Sequence, residues 1–196
     1  MSRKKSIRKT AQAFVQEVTA LEHFVQTSIS SLSDKEKSWC HDYAIIRLYR
    51  EFENLMLSAI AGAINNDTTT ISSTTGIDFP KHLNVQVCEF LVLGGGYFDF
   101  KGRSGLIKTL RKYVPQNHYL LNIVQNQRYQ AALDKLSALR NYAAHESEQA
   151  KKAALTATGQ QKIGSAGSWL KRQQRFIAIS TELKALGNAI HQAAPY

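Results

Sequence analysis

The sequence predicts an all-α fold, an up-and-down helical bundle with additional helices at its ends. Two observations point there. Long stretches place apolar residues at i, i+3, i+4 and i+7, the spacing that puts them on one helical face. The connections between those stretches are marked by residues that start or stop helices, such as the Ser-x-x-Glu pattern of Ser33–Glu36. The 196 residues are expected to form one domain, 1–196, large enough to bury a core without staples.

The elements follow in order. Within 1–32, Phe14, Val15, Val18, Leu21, Phe24, Val25 and Ile29 fall at helical spacing, so an N-terminal helix over about 8–30 packs on the bundle or on a second subunit. Ser33 then starts the next helix. Its strongest stretch is His41 to Ile64, with Ile45, Leu48, Tyr49, Phe52, Met56, Ala59, Ile60 and Ala63 on the apolar face. Glu53 shares that face. Segment 65–81 is rich in Asn, Ser and Thr and reads as a flexible loop closed by Pro80. His82 to Leu93 contains Val85, Val87 and Val92, which suit a strand; the helical character elsewhere favours a helix. Gly94-Gly95-Gly96 then reads as a turn. A helix with Leu106, Ile107 and Leu110 inward follows. Gln127 to about Leu155 has no Gly or Pro and reads as one helix. A linker over 157–167 leads to a last helix opening at Ser168-Trp169 and running to about His191, with Ile177, Ile179, Leu183, Leu186 and Ile190 buried.

Composition bounds the chemistry. The net charge of +10 favours polyanionic partners. The two cysteines, Cys40 and Cys88, form neither a disulfide framework nor a zinc site and suggest a reducing, cytoplasmic setting. No apolar run is long enough to span a bilayer, and the basic start Met1–Lys9 lacks the apolar core of a secretion signal. Gly94-Gly95-Gly96 has no following Lys-Ser or Lys-Thr, which argues against a nucleotide-binding P-loop.

The residues that carry chemistry are Arg140-Asn141-Tyr142-Ala143-Ala144-His145. Of the arginines in the chain, only Arg140 has a histidine five residues on. Tyr129, Ala132, Leu133, Leu136, Leu139 and Ala143 form the apolar stripe of this helix, and Arg140 sits in its middle, where a charge is costly unless paired. Glu53, on the apolar face of the earlier helix, is the candidate partner. His145 lies about 140° further round the helix, near Asn141. The long Arg140 side chain can bridge that gap, or a second copy of the helix can complete the site. Arginine grips phosphate through two hydrogen bonds, and histidine exchanges protons near neutrality. Lys101, Arg103, Lys108, Arg111 and Lys112, interleaved with Tyr97, Phe98, Phe100 and Tyr113, suit a nucleic-acid backbone and exposed bases, or else an ordinary amphipathic helix. Lys151 and Lys152, two turns past His145, are further RNA-binding candidates.

The run Leu139–Ser147, with its Arg-Asn-X3-His core, resembles the HEPN superfamily and is similar to RiboL-PSP-type HEPN nucleases; Gly94–Gly102 is similar to a bacterial HEPN-like subgroup. The resemblance spans about Ser33 to the C-terminus. It implies a helical bundle that dimerises around a basic cleft and a metal-independent endoribonuclease with no cofactor. Arg140, Asn141 and His145 are then catalytic, the only residues to which the resemblance assigns roles; Glu53, by its place on the facing helix, is the supporting residue. The partners are RNA, a second copy of the chain, and an antitoxin or defence-system protein, in a toxin–antitoxin or antiphage setting. Ser147 stands where one subgroup has a tyrosine two residues after the histidine, which argues against that subgroup's chemistry. The other readings are a catalytically silent HEPN module that binds RNA or a protein, and a basic assembly protein.

Overall fold

The computed structural model describes residues 5–195, and every regular element among them is helical. The start of the basic N-terminal stretch, 1–4, lies outside the described residues.

Four long helices form the bundle: α1 (Ile7–Ser28), α2 (Asp34–Asn66), α7 (Gln130–His145) and α10 (Arg175–Ala193). They close a ring in which α1 touches α2 and α10, and α7 touches the same two. Between them run α3 (Thr69–Thr75), α4 (Val85–Leu93), α5 (Gly102–Tyr113), α6 (Tyr119–Gln125), α8 (Glu148–Thr158) and α9 (Ala166–Leu170).

Local chemistry sets the helix ends. Ser33 and Glu36 form the expected capping box, so α2 starts seven residues before His41. All eight apolar-face residues expected in α2 are buried. Asn84 caps α4, and Gly94 ends it with φ +58, a left-handed conformation glycine adopts without strain. The valines of 85–93 are thus helical, the choice that the surrounding pattern favoured over a strand. In α1, Phe14 and Val18 reach the core, whereas Phe24 is exposed and Val15 and Ile29 are only half-buried.

Three expected segments differ. The flexible loop over 65–81 contains α3, pinned by buried Ile71 and by a Thr68 hydroxyl that donates to the Pro80 carbonyl at 3.0 Å. Asn65 Nδ2 also donates to the Leu83 carbonyl at 2.6 Å. Polar composition suggested mobility, but these polar groups serve as local caps and braces. The single helix from Gln127 to Leu155 is instead a 3-10 turn at Gln127–Tyr129 followed by α7 and α8. Glu146 turns left-handed with φ 46, and the Ser147 side chain accepts from the Ala150 N–H at 3.2 Å. A serine N-cap with Glu148 in the first turn starts a new helix where helix-forming composition alone reads continuity. The last helix is likewise split. Ser165 caps α9 from inside the expected 157–167 linker; Gln173 and Gln174 are left-handed, and α10 begins at Arg175.

Candidate functional site

The α2–α7 contact sets the position of Arg140. Leu133, Leu136 and Leu139 are fully buried, each worth roughly 1.5–3 kcal/mol. They hold α7 so that Arg140, next in sequence, emerges half-buried at the edge of the stripe rather than in its middle. There it meets an open groove of about 820 Å³. One wall is α2, contributing Ile46, Tyr49, Arg50, Glu53, Asn54 and Leu57. The other is the α4–α5 connection, contributing Gly96, Tyr97, Phe98 and Asp99.

Arg140 is held by two neighbours. Its guanidinium lies over the Tyr49 ring, 4.5 Å from the centroid, and its Nη1 donates to Asn141 Oδ1 at 2.8 Å. Tyr49 is itself fixed. It stacks on buried Phe100 with centroids 4.8 Å apart, and its hydroxyl donates to Asp99 Oδ1 at 3.1 Å. The same Asp99 oxygen accepts from the Lys101 N–H at 3.0 Å, in the tight left-handed turn that opens α5. Burial pushes the Tyr49 hydroxyl far up, with the charges of Glu53 and Asp99 adding to it, so it remains a donor.

Glu53 lies in the groove, but not as the ion-pair partner of Arg140 that the facing helices suggest. No pairing of Arg140 with a carboxylate falls within 4.0 Å among the described residues; Arg140 acts on Glu53 through its field alone. Burial pushes the Glu53 carboxyl up to about 7, with Asp99 adding to the rise and Arg140 opposing it. No hydrogen bond stabilises its ionised form.

His145 is the last residue of α7 and is exposed. Five residues on from Arg140, it sits past the end of the groove, whose lining does not include it. The end of α7 runs beside the first part of α2, where the Glu146 charge acts on Asp42. Asn141 bonds Arg140 rather than His145.

The basic candidates separate into three sets. Lys101, Lys108, Arg111 and Lys112 are exposed on and just before α5. Arg103 is committed to the fold: Nε donates to the Val124 carbonyl at 3.0 Å and Nη2 to the Gln125 carbonyl at 2.6 Å, satisfying the C-terminus of α6. Lys151 and Lys152 line a separate groove of about 460 Å³ with Glu148 and Lys162. Among the aromatics, Phe100 is buried and the Tyr113 hydroxyl donates to the Leu91 carbonyl, so both belong to the interior. Tyr97 is fully exposed at the groove.

Sequence reasoning missed Tyr49 and Asp99 as site residues. Tyr49 belongs to the core by its apolar ring, and its hydroxyl edge faces the groove. Among the described residues no cluster of three or more His, Cys, Asp or Glu is placed to hold a metal ion, and no helix is long and apolar enough to cross a membrane. Compared with family models, with curated proteins and with solved structures, the chain matches none.

Proposed function

We propose that the protein is a HEPN-type, metal-independent endoribonuclease. The observation that supports this best is Arg140: a cation preorganised by Tyr49 and Asn141, facing an open groove, with no carboxylate among the described residues occupying its donors. Such a group is built to receive a phosphate.

In this reading Arg140 neutralises charge on the non-bridging oxygens of the scissile phosphate, and Asn141 keeps its fork aimed. His145 removes the proton from the RNA 2′-hydroxyl, whose oxygen attacks phosphorus; the P–O5′ bond breaks and the 5′-oxygen takes a proton. The products are a 2′,3′-cyclic phosphate and a 5′-hydroxyl. The proton comes from His145 of a second copy, and because His145 does not line the groove of its own chain, the two copies must bring their α7 ends together at the phosphate. The exposed stripe Phe24, Trp39, Tyr43 and Ile46, whose Ile46 lines the groove, suits that contact. In this reading the protein acts as a toxin–antitoxin or antiphage nuclease.

Wild type, Arg140→Ala and His145→Ala are compared on labelled RNAs in EDTA, with product ends mapped. Cutting by wild type alone, leaving cyclic phosphate, supports the reading, and loss of cutting in EDTA overturns the metal-free mechanism. The exposure of His145 favours one rival, a catalytically silent HEPN module, and binding without cutting would select it.

A further inference from the structure

The groove beside Arg140 holds more than a phosphate requires. Glu53 is half-buried there, with two carboxylate oxygens and, among the described residues, no donor to either. Its oxygens stay open to solvent at the groove, so they are free to accept from a ligand. Tyr97 stands fully exposed at the same groove, beside Phe98. An aromatic ring with no packing partner at the mouth of a polar groove is a platform for another ring. Ile46, Leu57 and Leu93 give the groove apolar walls. Its volume of about 820 Å³ falls in the range of sites that enclose a single small molecule. It is too small for a duplex, and sequence-specific readers of RNA take unpaired bases.

The base follows from the acceptor. Guanine presents two adjacent N–H donors, N1–H and N2–H, that match the two oxygens of one carboxylate. Adenine and cytosine each present one amino group flanked by a ring acceptor, and uracil one N–H between two carbonyls. Each of those sets a lone pair against the carboxylate.

We propose that this groove is a subsite for one unpaired guanine of an RNA strand, with Glu53 accepting from its N1–H and N2–H, Tyr97 stacking on its ring and Arg140 holding the adjacent phosphate. The proposal rests on the reading that the chain binds RNA, and it deepens that reading by naming the nucleotide. Burial disfavours the ionised Glu53 carboxyl, and two donors from guanine would shift it back toward the ionised form. The groups acting on Glu53 are Tyr49 of α2, Asp99 of the α4–α5 connection and Arg140 of α7, and Arg50 lines the same groove. Arg50 and Arg140 balance the two acids, so a neutral base edge rather than a second anion suits the Glu53 end.

The test uses the full chain carrying His145→Ala, in EDTA, and fluorescently labelled pentauridine with G, A, C or U at the centre. Anisotropy titration is expected to give the G-centred strand an advantage on the order of tenfold over the other three, typical of a bidentate base contact. Glu53→Gln, whose fold is checked by thermal melting, brings the four strands to within about twofold. Tyr97→Leu, at a fully exposed position, weakens all four alike, as expected for a stacking platform. Four strands of equal affinity, a guanine advantage that survives Glu53→Gln, or no binding of any strand overturns the subsite. Cutting is scored separately on wild-type protein. Guanine-selective binding without cutting sinks the nuclease reading and leaves the subsite, and cutting without selectivity does the reverse.

Discussion

The guanidinium of Arg140 lies 4.5 Å from the centroid of the Tyr49 ring, and that contact joins α7 to the groove wall on α2. A flat, delocalised cation stacks on an aromatic face, while its edge stays available to bond Asn141 at 2.8 Å and a phosphate beyond. Lysine keeps the charge but has neither the plane nor the fork. Arg140→Ala is therefore expected to reduce RNA cleavage at least about 100-fold. Arg140→Lys should recover only part of that, staying about tenfold or more below wild type. Single-turnover rates measure both. Equal rates for lysine and arginine would mean that charge alone matters at this position.

Glu53 makes stability depend on pH in an unusual direction. Its carboxyl is pushed up to about 7 by burial, so between about pH 4.5 and 7 the folded chain holds a proton that the unfolded chain has released. Stability from this group is then highest below pH 4.5, falls as pH rises through 7, and is level above. Glu53→Gln removes the effect. After discounting for solvent screening of a half-exposed group, the gain at pH 8 is about 1 kcal/mol. That corresponds to a Tm higher by about 2–4 °C at pH 8 and nearly unchanged at pH 4.5. Calorimetry at both pH values measures it, and a lower Tm at pH 8 would contradict it.

Much of this site was legible because helical periodicity is strong where burial is strong. The stripe of α7 and the face of α2 fixed which helices meet, and that placed Glu53 and Arg140 at one groove. What periodicity cannot give is the angular position at a stripe's edge. Arg140 and Glu53 both read as central to apolar faces, yet each is half-buried at a rim where its polar end is solvated. That is why they share a groove without forming an ion pair. Asp99 was invisible for another reason. It reaches Tyr49 across 50 residues of sequence, from a turn set by Gly94–Gly96 and Lys101. The break at Glu146–Ser147 was legible in principle from the serine cap, but the Ala-, Lys- and Gln-rich composition around it outweighed that signal.

Arg103 separates fold from RNA binding. Its charged N–H groups satisfy the Val124 and Gln125 carbonyls at the end of α6, bonds worth about 1.5–3 kcal/mol when one partner is charged. Arg103→Ala is expected to lower Tm by several degrees. Lys108→Ala, at an exposed position on α5, should leave Tm unchanged and weaken RNA binding in a salt-dependent way. The two variants are read by melting and by anisotropy at two salt concentrations. A stable Arg103→Ala with weakened binding would return Arg103 to the RNA surface.

The exposed stripe on α2 yields a prediction about assembly. Trp39 and Tyr43 are 58% and 55% exposed, Ile46 follows one turn on, and Phe24 of α1 stacks edge-to-face against Tyr43. If a second copy covers this stripe to bring two His145 groups together, Tyr43→Glu should convert dimers to monomers and abolish cutting while leaving the melting of the monomer intact. Sedimentation at several concentrations measures the first effect. Wild type that sediments as a monomer throughout would remove the second-copy step from the mechanism.

Gly167 tests a crossing that permits no side chain. A Cβ there would stand 1.9 Å from the Ser38 carbonyl oxygen and 2.9 Å from the Asp42 carboxyl carbon. The contact is close because the Gly167 N–H donates to Asp42 Oδ1 at 2.6 Å, tying α9 to the start of α2. Burial of the Asp42 carboxyl, set against that bond, leaves its titration above the usual carboxylate range. Gly167→Ala must push backbone away from backbone, which in a packed interior costs about 1–3 kcal/mol or more. Its Tm should fall by about 5 °C or more. The neighbouring Gly164→Ala meets only the Ser168 hydroxyl, 3.3 Å away at the end of a short side chain that can rotate, and should fall less. Because α9 also braces the α2 segment beside His145, Gly167→Ala is expected to lose RNA cutting at temperatures well below its own melting, and equal losses in the two glycine variants would show that the crossing tolerates a methyl group.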